Sequence, residues 1–170
     1  MELCGQLNAD FDGDTVRVIL VPEEAGEDTY KKMSPRYNKI YKKSLKNIFE
    51  FNHETLNGLA NCTEYTPDDP EDLKDPKHYY TDYTQLLKDV EVNGVIGYGT
   101  PIVFTGKIGD VDYQSKITTY GRLRLSKIIN ADIDEIKVNS EPIFKTPYER
   151  INAKSAGKLM SYLYCSDDWV

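Results

Sequence analysis

The chain is short of several things. Three cysteines, Cys4, Cys62 and Cys165, stand far apart with no Cys-x-x-Cys pair, which excludes a disulfide framework and a cysteine zinc site as leading readings. With free thiols the default and an intracellular compartment expected, Asn61-Cys62-Thr63 is a glycosylation acceptor in form only. No apolar run approaches the roughly 20 residues of a bilayer span; the longest, residues 16–21, is interrupted by Arg17. No basic stretch followed by an apolar one opens the chain, so no secretory signal is expected. Gly-rich phosphate loops and internal repeats are missing too. The remaining composition, 170 residues with 39% apolar and 29% charged, is that of a soluble globular domain.

Charge is unevenly spread over a net −7. Residues 29–49 contain no acid and seven bases, Lys31, Lys32, Arg36, Lys39, Lys42, Lys43 and Lys46, interleaved with Tyr30, Tyr37 and Tyr41. Such a stretch is either a solvated helix face or a contact for nucleic acid or a partner. Residues 64–75 reverse the sign, with six acids against Lys74 and with Pro67 and Pro70 among them. That composition predicts an exposed acidic loop, taken here as residues 64–82.

Residues 14–21 (Asp-Thr-Val-Arg-Val-Ile-Leu-Val) lie between Gly13 and Pro22 and read as a strand buried on at least one face, with residues 3–9 as an antiparallel predecessor. Pro22 followed by Glu23 and Glu24 opens a helix to about residue 33, and residues 35–49 repeat apolar side chains at helical spacing. A short helix is expected at residues 83–90. Residues 96–107 and 111–119 form a hairpin about Ile108-Gly109-Asp110. Amphipathic segments follow at residues 121–129 and 153–164. The fold class is α+β.

The chemistry-bearing feature is the loop Asn8-Ala-Asp-Phe-Asp-Gly-Asp14. Asp10, Asp12 and Asp14 alternate where the chain must turn, and carboxylates that close repel unless a cation neutralises them. A hard divalent ion, magnesium first, is the natural partner. An EF-hand is disfavoured because its glycine position falls on Thr15 and its bidentate glutamate position on Val21. A transferase built on Asp-x-Asp fails for want of a nucleotide-binding βαβ unit. The alternative from another class is a divalent-metal-binding structural or interaction domain without catalysis. His53 and His78 have no companion ligand at metal spacing and default to structural or surface roles.

The segment Cys4-Gly-Gln-Leu-Asn-Ala-Asp-Phe-Asp-Gly-Asp14 resembles the pattern Cys-x-x-[Phe/Tyr]-Asn-Ala-Asp-Phe-Asp-Gly-Asp of the largest, β′-like subunit of multisubunit DNA-directed RNA polymerases, with residues 8–14 identical. Two weaker elements follow in the family's order. His53-Glu-Thr-Leu-Asn-Gly58 resembles Gln-Asp-x-Leu-x-Gly, and Thr118-Thr-Tyr-Gly-Arg122 resembles Thr-Thr-x-Gly-Arg. The chain departs from the family at Leu7, which replaces an aromatic, and at residues 15–19, Thr-Val-Arg-Val-Ile in place of Gln-Met-Ala-Val-His.

The resemblance implies a split subunit, as in the polymerases of giant-genome bacteriophages, acting in the host cytoplasm or another intracellular compartment. Residues 1–21 would be the catalytic-loop part of a double-psi β-barrel completed by another chain. Residues 22–63 would form a helical segment with a basic-aromatic face, residues 64–82 the acidic loop, and residues 83–170 the hairpin and helices of a pore-like region. Asp10, Asp12 and Asp14 would be the catalytic, Mg²⁺-binding residues of a two-metal nucleotidyl transfer, one ion held by the protein and one arriving with the nucleoside triphosphate. Asn8 would bind substrate at the ribose, and otherwise shapes an Asx turn. Gly13 would allow a close backbone approach, and Phe11 would anchor the loop. Arg122 is expected to be a surface or interchain residue. Partners would be other β′-like and β-like chains, DNA template, RNA product and nucleoside triphosphates.

Overall fold

The computed structural model describes residues 12–34 and 51–165. The expected helix at residues 35–49 and strand at residues 3–9 lie outside the described residues, as do Cys4, Asn8, Asp10 and Phe11.

Helix α1, Glu23–Met33, starts on Pro22, carries Glu23 and Glu24 in its first turn and Lys31 and Lys32 in its last. Those charges complement the helix dipole, and Lys31 pairs with Glu27 at 2.6 Å one turn away. It has no buried residue. Helix α2, His53–Thr63, is capped by the Asn52 side chain, which accepts from the Thr55 N–H.

Residues 64–82 are more structured than the exposed loop their composition predicts. Asp69 and Asp72 form a reciprocal capping box on a 3₁₀ turn, Pro70–Leu73, with the proline at its start. Asp72 is buried and takes hydrogen bonds from the Asp69 N–H and from Lys77. The Lys77 bond, seconded by the Asp69 amide, holds the Asp72 carboxyl below its usual range. Strand β1, His78–Tyr80, follows, its three residues paired parallel to β2, Ile102–Ile108. Composition misled because a buried carboxylate is tolerated once its oxygens have partners, and because a three-residue strand takes its order from its neighbour.

Asp82 caps helix α3, Tyr83–Leu87, which widens into a π turn over Lys88–Val92. The hairpin forms about the expected turn, though its first strand begins at Ile102 and not at residue 96: β2 runs antiparallel to β3, Val111–Thr118, in the sheet order β1-β2-β3. Gly109 takes φ +59° in its turn, the left-handed conformation that a two-residue hairpin loop demands. The ladder shifts register between Phe104 and Gly106, and Gly106 at φ +145° faces the Thr81 carbonyl, 3.0 Å from where a Cβ would stand.

Helix α4, Tyr120–Ile129, is capped by the Thr119 hydroxyl and ends on Asn130 in the left-handed region. The Asn130 side chain latches the hairpin tip, accepting from the Asp110 N–H at 3.1 Å and donating to the Asp110 carboxylate at 2.7 Å. Two short strands, β4 (Lys137–Val138) and β5 (Glu141–Pro142), pair antiparallel. Helix α5, Ala153–Cys165, closes the fold, started by Asn152, whose side chain accepts from the N–H groups of Lys154 and Ser155.

Helix α4 sits between two cores. Tyr120 and Leu123 join Leu86, Val90, Ile102, Phe104, Ile108 and Tyr113. Leu125 and Ile129 join Ile133, Ile136, Ile143, Phe144, Ile151, Ala156 and Leu159. Residues 53–82 therefore share one packed body with the hairpin, through β1 on β2 and α2 against α4.

Candidate functional site

Of the carboxylate loop, Asp12, Gly13 and Asp14 are described. Both aspartates are exposed. Gly13 lies between them at φ +126°, with nothing within 4 Å of the position a Cβ would take. Backbone conformation, and not crowding, is what calls for glycine there.

The expected strand at residues 14–21 is not formed. This segment has no regular secondary structure, and Val16, Val18, Ile19 and Leu20 are 77%, 85%, 74% and 93% exposed. A strand exists only through hydrogen bonds to a neighbour, and among the described residues no strand pairs with this one.

The donor set suits a hard cation: three carboxylates at alternate positions offer only oxygen, which is what Mg²⁺ takes. Asp12 and Asp14 are open to solvent, so an ion could reach them. Among the described residues no group of three acids, cysteines or histidines gathers elsewhere in metal-binding fashion. His53 opens α2 with its side chain exposed, and His78 opens β1 half-buried.

The structure packs the third landmark against the far end of the helix that the second one opens. A Cβ on Gly121 would collide with the Cys62 carbonyl at the end of α2, so glycine is required where α4 crosses it. Arg122, expected at a surface, is 1% exposed. Its Nε donates to the Thr63 carbonyl at 3.0 Å, Nη1 to the Pro147 carbonyl at 3.0 Å and to the Asp134 carboxylate, and Nη2 to the Glu149 carbonyl at 2.6 Å. The guanidinium lies between the rings of Tyr65 and Phe144, 4.5 and 4.4 Å from their centroids. Five donors in a rigid planar fork can tie several loops at once, and here the fork joins α2, the 134 turn and residues 147–149. Thr63 adds a second tie, accepting from the Ile151 N–H at 2.8 Å while donating to the Leu59 carbonyl.

A cavity of about 430 Å³ opens beside this arginine, lined among others by Tyr65, Lys116, Asp134, Phe144, Lys145 and Tyr148. Two of its charges, Lys116 and Asp134, are paired. Lys116 pairs with Asp132 and with Asp134, which also holds Arg122. Burial pushes the Tyr65 hydroxyl up, against the pull of Arg122.

A second cluster centres on Glu91 in the π turn. Its carboxylate accepts from Tyr120 at 2.7 Å, Tyr98 at 3.0 Å and Arg124 at 2.7 Å, and these hydrogen bonds, Tyr120's first, hold it below its usual range. Tyr98 packs edge-on against Tyr120, which stacks on Tyr83. Nothing in the spacing of these residues announces the cluster, because it draws on α3, the 93–99 loop and α4. No described helix is long and apolar enough to cross a membrane. Compared as a whole with family models, curated proteins and solved structures, the chain matches none of them.

Proposed function

We propose that this chain is the catalytic, Mg²⁺-binding piece of a multisubunit DNA-directed RNA polymerase, active only when assembled with other β′-like and β-like chains. The observation that carries the reading is the identity of residues 8–14 with the family's carboxylate loop. Support comes also from the order of the two later landmarks. The exposed aliphatic segment after the loop, Val16 to Val21, fits a strand that another chain completes, since apolar surface of that kind is ordinarily covered.

Asp10, Asp12 and Asp14 would hold the metal. Bound there, it would supply Lewis-acid activation of the RNA 3′-hydroxyl, while the ion arriving with the nucleoside triphosphate would neutralise charge on the phosphates. The chain's own residues have separate tasks. Gly13 sets the turn that presents the flanking carboxylates on one short loop. Asn8 offers an amide that both donates to and accepts from a ribose 2′-hydroxyl, favouring ribonucleotides.

The test is Asp12→Ala in the reassembled complex. RNA extension from a primed template is expected to vanish while the chain still assembles. A mutant complex that extends the primer at the parental rate would overturn the proposal. The structural-domain alternative predicts instead that the chain alone gains thermal stability with Mg²⁺, as binding to the native state alone requires.

A further inference from the structure

The chain contains Asn-Gly twice, at Asn57-Gly58 and Asn93-Gly94, and the fold gives the two pairs different surroundings. Asn57 and Gly58 lie inside α2, where each backbone N–H is engaged in the helical ladder and the dihedrals are fixed. Asn93 and Gly94 lie just beyond the π turn, both exposed. The Asn93 N–H donates to the Lys88 carbonyl and the Val95 N–H to the Asp89 carbonyl, each at 2.8 Å. The Gly94 N–H between them joins neither bond. Gly94 sits at φ +62°, with nothing within 4 Å of the position a Cβ would take.

From this contrast we infer that Asn93 is a site of spontaneous deamidation in the folded protein, with water as the co-reactant, and that Asn57 is protected. The Gly94 nitrogen attacks Asn93 Cγ; the Cγ–Nδ2 bond breaks and ammonia leaves with the amide proton. The resulting succinimide is hydrolysed by water at either carbonyl, giving aspartate or isoaspartate. No electrons are gained or lost. Reaction requires Asn93 to swing its ψ away from −21° and to release Nδ2 from the Asp89 carboxylate, 3.0 Å away. An exposed turn can do this by a local opening, whereas Asn57 must unravel a helix.

The change would be felt at Asp89, whose carboxylate also takes hydrogen bonds from Tyr80 and Gln85. The Asn93 amide is the foremost of the groups holding Asp89 in its charged form. After deamidation a carboxylate stands where that donor stood. Two like charges then meet at the end of the turn that carries Val90 into the core.

The experiment is a time course of the full chain at mildly alkaline pH, native and in urea, followed by peptide mapping with an isoaspartate assay at both positions. In the native chain residue 93 is expected to react about tenfold faster than residue 57 or more, equivalent to about 1.4 kcal/mol of extra opening cost at Asn57. In urea the two rates converge. Equal or faster reaction at Asn57 in the native chain would overturn the inference. So would an Asn93 that reacts in urea and not in the native chain.

Discussion

Residues 14–21 and strand β2 are built from nearly the same material. One reads Asp-Thr-Val-Arg-Val-Ile-Leu-Val and the other Ile-Val-Phe-Thr-Gly-Lys-Ile. Strand β2 lies between β1 and β3, and its Ile102, Phe104 and Ile108 are 0%, 1% and 4% exposed. The earlier segment has no strand beside it among the described residues, and its aliphatic side chains stand in solvent. β-propensity measures how well a residue fits a pleated, half-buried surface; it does not supply the surface. The lesson is that the same kind of sequence is buried where neighbouring strands cover it and exposed where, among the described residues, none does.

Mutations sharpen this contrast. The largest effect is expected at Arg122, where Arg122→Met leaves three carbonyls without their donor and Asp134 with Lys116 alone. A loss of about 3–5 kcal/mol is predicted, the range for breaking a buried charge pair, read by urea denaturation of the isolated chain. Next comes Leu86→Ala, which empties a fully buried position in the first core and should cost about 2–5 kcal/mol. Leu20→Ala, the same kind of truncation in the arm at 93% exposure, should change the isolated chain by no more than about 0.5 kcal/mol. If Leu20→Ala destabilised the isolated chain as much as Leu86→Ala does, the arm would be part of the body and the comparison would fail.

Titration offers a test of the body. Asp72, Asp89, Glu91 and Glu141 all have folded values lowered by their donors, and all belong to the body. A lowered carboxylate contributes stability above its unfolded value and loses it as the pH falls through the folded one. Thermal stability should therefore hold from neutrality to about pH 4.5 and fall below that. At the alkaline end the signs reverse. Burial, the main cause, pushes the Tyr113 hydroxyl up from 10.0 to about 12, so the stability it contributes is present below 10 and lost as the pH rises through 12. A melting temperature that declined already between pH 7 and 5 would contradict the first part. One that stayed level up to pH 12 would contradict the second.

The local signals were those in which neighbours along the chain decide the outcome. Gly109-Asp110 announced its hairpin because glycine supplies the left-handed turn at no steric cost. Helix α1 was legible from Pro22 and its flanking charges, and α5 from apolar spacing. In the candidate site the carboxylate alternation and Gly13 were readable for the same reason. Arg122 was misjudged because its four partners lie at Thr63, Asp134, Pro147 and Glu149, and no rule of spacing joins positions so far apart. The acidic stretch was misjudged in the same way. Asp72 is buried because Asp69 and Lys77 meet it, and β1 exists because β2 is next to it.

By itself, then, the amino-acid sequence determined the turns, the caps, the hairpin and the chemistry of the carboxylate loop. Each depends on dihedral preference, side-chain hydrogen bonds within a few residues, or the kind of atom offered to a ligand. Only the tertiary structure decided which apolar run became a strand, that an arginine would be buried as a knot, that Gly121 would meet the Cys62 carbonyl, and that two Asn-Gly pairs would have different surroundings. Those outcomes depend on contacts between residues distant in the chain, and burial turns such contacts into obligations: a polar group taken from water must find its partner wherever the fold has placed it.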